Sequence, residues 1–359
     1  MRHKFELIPG SACNFRCSYC YEQAREDSYG GERMSEELVK ASRRFAASFL
    51  AEHPADDLAV CLFGGEPGCY VSRVDSVLRH FHDLPVAFHV ITNGTLILKH
   101  REFLREWHAL CGDRLRIMLS YDWTLQNTQR CPGTEDSGLE AMARLEEDDL
   151  PFSVNTIFTR ESLPELLTVF RAYLDFMRHF RPSKRVMFRF GMDNFNPGNT
   201  RLDWDACRSM ATDMRCFLEK FPAASSRIQY KYGRSDIGMS CRAHNCGFGW
   251  RVLGCVDTDG SFYGCQGAAY DPRADMFRLG HISEGYAALR ASSRTFMAKL
   301  PPACPPACMD CGALCKQCPL DTVGNDPRDF GGMPDEEHCR IHKLITWALE
   351  GRHGMFDAD

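Results

Sequence analysis

The sequence predicts an α/β fold, a partial (β/α)6 barrel followed by a cysteine-rich α+β domain. From residue 3 to about residue 220, short apolar, β-rich segments alternate with longer amphipathic ones, which is typical of β/α units on a parallel sheet. After about residue 222 the alternation stops, and glycine and cysteine become frequent. Because six β/α units are too few to close an eight-unit barrel, we expect an open one. The predicted regions are a core over 1–222, a linker over 223–240, a cysteine-rich domain over 241–345 and a tail over 346–359.

The predicted elements follow in a regular order. The strands are Lys4–Ile8, Leu58–Phe63, Ala87–Thr92, Arg116–Ser120, Phe152–Phe158 and Arg185–Phe190. The helices are Ser35–Ala51, Ser72–His82, Lys99–Cys111, Ser137–Glu147, Leu163–Phe180 and Asp203–Phe221. Ser35 precedes an acidic first turn, as helix starts often do. Further on, Asp259-Gly260 between two apolar segments predicts a hairpin of Trp250–Asp257 and Ser261–Tyr263.

Composition argues against several classes of partner. A formal charge of −5 and a pI near 6.2 give no basic surface for nucleic acid or an anionic membrane. The N-terminal apolar run is too short for a signal peptide, and no later segment is apolar enough to span a bilayer, so we expect a cytoplasmic protein. In that reducing compartment, 19 cysteines, an odd number, are better explained by metal or cluster ligation than by disulfides.

Three cysteines follow the first predicted strand. Cys13, Cys17 and Cys20 lie in the sequence CNFRCSYC, in which Tyr19 precedes the last cysteine. Three thiolates can hold a 4Fe–4S cluster and leave one iron open for a substrate or cofactor. A zinc site usually takes four ligands, and no matching pair of cysteines or histidines lies nearby in the sequence. Zinc, or three unrelated buried thiols, remain the alternatives.

Polar motifs also follow later strands, at the carboxyl ends where barrels of this kind carry their chemistry. Gly64 and Gly65 would let backbone approach a ligand closely, and Glu66, before Pro67, offers an acceptor to an ammonium group. In a purely structural interpretation the same residues form a turn. The other candidates at strand ends are Thr92, Asn93, Ser120, Asp122 and Asn155. Asp122 could instead cap a helix.

The three-cysteine motif resembles that of the radical S-adenosylmethionine (SAM) enzymes. The resemblance implies that SAM binds the open iron through its amino and carboxylate groups, and that reductive cleavage gives a 5′-deoxyadenosyl radical. The segment GGEP over 64–67 resembles the family motif that contacts the SAM amino group, and TNGT over 92–95 resembles a stretch found near SAM. Ser120 and Asp122 match a family S-x-D-G stretch in which Trp123 here replaces the glycine, and Ser120 would contact the ribose. Tyr19 and Asn155 complete the implied cofactor-binding set.

Ten cysteines lie between Cys241 and Cys339, five of them within 304–318. These five would fall on all sides of a helix axis, so we expect them to wrap a metal centre. A zinc module is one interpretation. The spacing of Cys246, Gly260 and Cys265 resembles the SPASM domain, the extension of peptide-modifying radical SAM enzymes that holds two further 4Fe–4S clusters. The implied ligand sets are Cys241, Cys246, Cys265 and Cys318 for one cluster, and Cys308, Cys311, Cys315 and Cys339 for the other. Cys255 and Cys304 are left as alternative ligands or thiol hydrogen-atom donors.

The resemblance implies an enzyme with three 4Fe–4S clusters that uses SAM to form a thioether or carbon–carbon cross-link in a ribosomally made peptide. Its implied partners are a precursor peptide or protein, a reductant such as flavodoxin or ferredoxin, and a separate leader-binding protein. Alternatives within the family are an epimerase and an anaerobic sulfatase-type maturase that forms formylglycine. The latter is disfavoured because Gln266 stands where those enzymes have an aspartate base after the cysteine equivalent to Cys265. A non-catalytic cluster- or zinc-binding scaffold is the alternative from another class.

Overall fold

The structure, a computed structural model of the 359-residue chain, describes residues 2–20, 22, 31–180, 186–192, 202–222, 228–230, 252–271, 273–298 and 336–350. The strands are β1 (Arg2–Leu7), β2 (Asp57–Leu62), β3 (Val86–Thr92), β4 (Leu115–Ser120), β5 (Phe152–Phe158), β6 (Met187–Met192), β7 (Ile228–Tyr230), β8 (Val252–Val256), β9 (Ser261–Tyr263) and β10 (Arg278–His281). The helices are α1 (Glu36–Glu52), α2 (Val71–Phe81), α3 (Thr95–Lys99), α4 (Arg101–Cys111), α5 (Glu135–Glu147), α6 (Leu166–Phe180), α7 (Trp204–Lys220), α8 (Gln266–Tyr270), α9 (Ala274–Phe277), α10 (Tyr286–Met297) and α11 (Glu336–Glu350). They belong to two compact units, the first drawn from 1–120, 136–152 and 247–300 and the second from 121–135, 153–246 and 301–359.

The first unit contains a sheet with the strand order β10-β9-β8-β1-β2-β3-β4. Strands β1 to β4 are parallel, with Phe5 beside Val60 and Val60 beside Phe88. Residues along β3 alternate between buried and half-buried, as expected for a strand whose two faces differ. On the buried face, Phe5 stacks on Phe45 of α1 with ring centres 4.9 Å apart. The four strands predicted for this unit are confirmed, with bounds that differ by one or two residues.

The helices of this unit begin at recognisable local signals. Ser35 caps α1, as predicted, because its side chain accepts a hydrogen bond from the backbone of Leu38 at 3.3 Å. The third predicted helix, Lys99–Cys111, is confirmed as α4 with a start that differs by two residues, whereas the short helix α3, separated from α4 by a break at His100, was not predicted. Gly94 has a φ of +102°, a left-handed conformation that glycine adopts without strain, and it turns the chain from β3 directly into α3.

The predicted hairpin is confirmed over β8 and β9, which pair antiparallel. Its turn closes through a hydrogen bond from the Asp257 amide to the Ser261 carbonyl at 3.0 Å, and Gly260 supplies a φ of +89°. The sequence did not predict that β8 also pairs in parallel with β1, which places the hairpin in the same sheet as β1 to β4. The predicted domain boundaries stay predictions, because 223–227, 231–251 and 299–335 lie outside the described residues.

In the second unit, β5, β6 and β7 are parallel and lie in that order. Helix α7 begins after Asp203, whose carboxylate accepts hydrogen bonds from two amides of the first helical turn, those of Asp205 at 3.0 Å and Ala206 at 3.1 Å. Helix α11 packs against α7, with the Arg340 guanidinium 4.3 Å from the centre of the Trp204 ring. Among the described helices, none is both long and apolar enough to cross a membrane.

Candidate functional site

The three motif cysteines lie together in the loop that follows β1. Cys17 is buried, whereas Cys13 and Cys20 are half-buried, and none of the three is in a disulfide. The amide of Cys20 donates to the carbonyl of Cys17 at 3.0 Å, and the Arg16 guanidinium donates to the carbonyls of Cys13 at 2.8 Å and Phe15 at 2.9 Å. These bonds give the loop a compact shape. Tyr19, between the last two cysteines, is also buried.

The electrostatics of this loop suit a cationic occupant. Burial raises the pKa of the Cys13 thiol to about 12, and the nearby Glu66 and Glu22 carboxylates push the pKa in the same direction. A thiolate at this position therefore requires a positive partner, which an iron–sulfur cluster provides through its iron ions. The donor set, three thiols on one loop, fits such a cluster. Among the described residues no trio of His, Cys, Asp or Glu is arranged around a single metal ion, and the ligand role of the cysteines stays a prediction.

The loop after β2 packs directly on the cysteine loop. Gly65 donates its amide to the carbonyl of Gly10 at 3.1 Å, and the amide of Glu66 donates to the carbonyl of Ala12 at 2.8 Å. A Cβ atom on Gly64 would lie 2.2 Å from the Gly10 oxygen, and one on Gly65 would lie 2.0 Å from the Ala12 oxygen. The two glycines therefore permit a close approach between two backbone segments. Pro67 then opens a short 3-10 helix over Pro67–Cys69.

Glu66 is a buried charged group of the candidate site, with 1% of its surface exposed. Its Oε1 accepts hydrogen bonds from the Thr92 hydroxyl at 2.6 Å, the Leu96 amide at 3.0 Å and the Gly68 amide at 3.2 Å. Its Oε2 accepts from the Asn93 amide at 2.6 Å. Burial raises the pKa of Glu66, and the four donors act against this shift by stabilising the ionised form.

Asn14, which is not among the predicted site residues, joins the cysteine loop to the loop after β3. Its amide nitrogen donates to the Thr95 hydroxyl at 3.0 Å, and its amide oxygen accepts from the Asn93 side chain at 3.0 Å. Asn93 in turn accepts from the Thr95 amide at 3.0 Å. Its position directly after Cys13 was the available signal, since an asparagine side chain can donate and accept at once.

The structure places the remaining predicted site residues in different surroundings. Ser120 ends β4 in the first unit and is half-buried. In the second unit, the buried carboxylate of Asp122 accepts from the Ile157 amide at 3.0 Å, and the carbonyl of Asn155 accepts from the Tyr121 amide at 2.9 Å. Asp122 precedes a 3-10 helix but makes no side-chain capping bond there, so the alternative role as a helix cap is wrong.

Trp123 occupies the position of the family glycine with a φ of +56°. This left-handed conformation is uncommon for a bulky residue. The side chain is 2% exposed, and its ring lies 5.1 Å from Tyr121, 5.7 Å from Tyr173 and 5.8 Å from Phe188. Aromatic packing therefore accompanies a backbone shape that would ordinarily select glycine.

Only part of the predicted auxiliary ligands falls within the described residues. Cys255 is fully buried on β8, Cys265 is half-buried directly before α8, and Cys339 belongs to the backbone of α11. The amide of Gln266 donates to the Glu6 carboxylate at 2.7 Å, so a carboxylate lies beside the position where the family aspartate is missing. The cysteines outside the described residues are Cys241, Cys246, Cys304, Cys308, Cys311, Cys315 and Cys318, and both ligand sets stay predictions.

Two curated proteins match parts of the chain. One is the radical SAM cyclopropyl synthase TigE of Paramaledivibacter caminithermalis, 20% identical over 185 residues, which are 44% of this chain and 35% of TigE. The other is an AdoMet-dependent heme synthase of Methanosarcina barkeri, 26% identical over 176 residues, 46% of this chain and 45% of the synthase. The matches thus span less than half of these relatives. No family model matches the chain.

Solved structures resemble the chain over nearly its whole length. Native anSMEcpe with bound AdoMet has a TM-score of 0.70 at 17% identity, covering 96% of both chains. Native anSMEcpe with bound AdoMet and the Cp18Cys peptide has a TM-score of 0.68 at 18% identity, covering 97% of both chains. The structural likeness confirms the predicted α/β fold class. The curated matches confirm the predicted resemblance to radical SAM enzymes.

Proposed function

We propose that this chain is a radical SAM enzyme that modifies a side chain of a ribosomally made peptide. The observation that carries the proposal is the cysteine loop, which packs by backbone contacts on the GGEP loop and is joined by Asn14 to the TNGT loop. Two motifs that lie far from the cysteines in the sequence thus contact the cysteine loop. The curated matches, a radical SAM synthase and an AdoMet-dependent synthase, support the same reaction class.

The residues of this loop fit a 4Fe–4S cluster held by Cys13, Cys17 and Cys20. With SAM bound, such a cluster would supply the electron for reductive cleavage and hence the adenosyl radical. The protein's own contribution is to hold and shield these groups. Arg16 orders the loop carbonyls, Gly64 and Gly65 allow the loops to touch, and the buried Tyr19 limits access of water between the last two cysteines.

A peptide is the favoured substrate for two reasons. The C-terminal cysteine spacing resembles the SPASM domain of peptide-modifying members, and the fold resembles anSMEcpe, which has been solved with the Cp18Cys and Kp18Cys peptides. On this proposal the two auxiliary ligand sets hold further clusters that accept or relay the electron. The substrate would be a precursor peptide, the reductant a flavodoxin or ferredoxin, and the leader would be recognised by the main fold or by a separate protein in the cytoplasm.

SAM cleavage provides the first experiment. The anaerobically reconstituted chain with SAM and a reductant is expected to yield 5′-deoxyadenosine and to contain about twelve irons, the content of three 4Fe–4S clusters. The triple variant Cys13/Cys17/Cys20→Ala should yield none and lose about four irons. The matched triple variant Cys111/Cys131/Cys216→Ala, in which three cysteines outside the motif are removed, should retain both. Cleavage that survives the first variant would refute the assignment, and a chain that binds only zinc would be a scaffold.

The modified bond requires a second experiment. A small peptide encoded beside the enzyme is co-expressed with it and analysed by mass spectrometry. Loss of a pair of hydrogen atoms indicates the proposed cross-link. An epimerase would leave the mass unchanged in ordinary water and would add one deuterium in heavy water. Conversion of a thiol to an aldehyde indicates the formylglycine reaction. Either of these two results would contradict the proposed bond while leaving the reaction class intact.

A further inference from the structure

The carboxylate of Glu66 is surrounded by hydrogen-bond donors inside the protein. A carboxylate has about four lone-pair sites for hydrogen bonds. Glu66 receives four donors at 2.6–3.2 Å, three on Oε1 and one on Oε2, and its side chain is 1% exposed. An ammonium group could reach this carboxylate only by entering the buried space that these donors surround. The resemblance suggested a contact with the SAM amino group, but the geometry favours a different role for this side chain.

The four donors come from two neighbouring loops. Gly68 belongs to the loop after β2, whereas Thr92, Asn93 and Leu96 lie at the end of β3 and the start of α3. The same two loops also touch elsewhere. A Cβ atom on Gly68 would lie 2.9 Å from the Leu96 nitrogen, and a His100 ring nitrogen lies 3.0 Å from the Gly68 carbonyl. Glu66 therefore forms the buried centre of the contact between the two loops.

Beyond this contact, the network continues to the cysteine loop. The amide of Asn93 donates to Glu66, and its side chain donates to Asn14, which lies directly after Cys13. Asn14 also donates to the hydroxyl of Thr95, which begins α3. Two side-chain hydrogen bonds at 3.0 Å thus connect the cysteine loop to residues whose backbone Glu66 holds in place.

We propose that Glu66 is a positioning residue that fastens the β2 and β3 loops to each other and, through Asn93 and Asn14, sets the position of the three-cysteine loop. This inference deepens the proposed function and rests on it for the identity of the bound groups. The carboxylate acts through the protein backbone, and its effect on SAM is indirect. The contribution of Glu66 to the contact between the two loops concerns the protein alone, and it can be measured without any cofactor.

Thermal unfolding of the cofactor-free protein is the first test. Glu66→Gln replaces one carboxylate oxygen, which accepts a hydrogen bond, by an NH2 group that then faces a backbone N–H. Thr92→Val removes the buried hydroxyl that donates to Glu66. Both variants are expected to lower the unfolding midpoint, by about 2–4 °C or more for each hydrogen bond lost. Ser18→Ala, an exposed side chain in the cysteine loop, is the control and should leave the midpoint unchanged. Midpoints of Glu66→Gln and Thr92→Val equal to wild type would overturn the proposal.

Ligand selectivity is the second test. Holoenzyme variants are titrated with SAM and with 5′-methylthioadenosine, which lacks the amino-acid portion of SAM. A positioning role predicts that Thr92→Val and Glu66→Gln weaken both ligands by a similar factor. A selective loss of SAM affinity in Glu66→Gln, with 5′-methylthioadenosine unaffected, would show a direct ammonium contact and overturn the proposal. If Glu66→Gln does not fold, Thr92→Val alone decides between these outcomes.

Asn14→Ala tests the connection to the cysteine loop. It removes both side-chain hydrogen bonds and is expected to lower the fraction of chains that show the electron paramagnetic resonance signal of the reduced N-terminal cluster, whereas Ser18→Ala retains the wild-type fraction. A wild-type signal in Asn14→Ala would refute this step. If the wild-type protein binds no SAM at all, the proposed function fails, while lower midpoints in Glu66→Gln and Thr92→Val would still support the fastening of the loops.

Discussion

Alanine and glycine at position 123 are expected to reverse their usual order of stability. Glycine is ordinarily less favourable than alanine by about 0.5–1 kcal/mol in regular structure. At a φ of +56°, however, a residue with a Cβ atom carries a cost of about 1–2 kcal/mol that glycine avoids. Trp123→Gly should therefore be more stable than Trp123→Ala by roughly 1 kcal/mol, the difference between these two effects.

Both variants should nevertheless be less stable than wild type. Trp123 is 2% exposed and packs among Tyr121, Tyr173, Phe176 and Phe188. Truncating a buried aromatic residue to alanine costs about 3–5 kcal/mol. Because glycine avoids the backbone strain, the Trp123→Gly variant should lose about 2–4 kcal/mol of the free energy of unfolding.

Trp123→Phe separates packing from hydrogen bonding. The indole nitrogen of Trp123 is buried and has no hydrogen-bond partner among the described residues. Phenylalanine keeps a ring in the cluster and removes this N–H group, whose burial without a partner costs about 1–3 kcal/mol. The free energy gained by removing this N–H group should offset most of the free energy lost with the smaller contact area. We therefore expect a stability within about 1 kcal/mol of wild type.

Urea unfolding of the four proteins, compared by midpoint at constant slope, measures these differences. The decisive comparison is between the alanine and glycine variants, because they share the lost packing and differ only in the backbone. If alanine is as stable as glycine, the left-handed backbone at this position is refuted. If the glycine variant matches wild type, the aromatic contacts contribute no net stability.

Two further predictions concern the first unit. Hydrogen bonds from Arg101 and Arg105 hold the pKa of Asp148 below its usual value near 3.8, so the bonds stabilise the fold at neutral pH and lose this effect as the pH falls through the lowered pKa. The difference in melting temperature between wild type and Asp148→Asn should shrink as the pH falls below the usual value near 3.8 and through the lowered pKa, and a difference that stays constant would contradict the ion-pair account. Gly65→Ala would place a Cβ atom 2.0 Å from the Ala12 oxygen and should lower the iron content, whereas Ser18→Ala, an exposed side chain in the cysteine loop, should not; a wild-type iron content in Gly65→Ala would refute the close approach.

The sequence predicted the local features of the first unit well. The strands were visible because apolar residues alternate or run continuously, and the start of α1 was visible because Ser35 precedes acidic residues. The short helix α3, Thr95–Lys99, was not predicted. It is separated from α4 by His100, and no proline or glycine marks that break.

The contacts between distant segments could not be predicted in the same way. Nothing in the local sequence pattern indicates that Glu66 accepts hydrogen bonds from residues between Thr92 and Leu96. Nor does it indicate that Asn14 forms hydrogen bonds with Asn93 and Thr95. The motif residues were found because their types suit a cofactor, but their partners depend on which loops the strand order brings together. A carboxylate suited to an ammonium group is equally suited to four internal donors, and only the three-dimensional arrangement distinguishes these uses.

The pairing of β1 with β8 has a consequence for the order of folding during synthesis. β1 lies between β2 and β8, and its Lys4 is opposite Val252. While the ribosome is still making the central part of the chain, one edge of β1 lacks its final neighbour, and an open strand edge can pair with another chain. Contacts between such distant segments also slow folding, because a long loop must close first. We therefore expect the nascent chain to depend on chaperones until the hairpin has emerged, and the cysteine loop that continues from β1 to gain its final support only then.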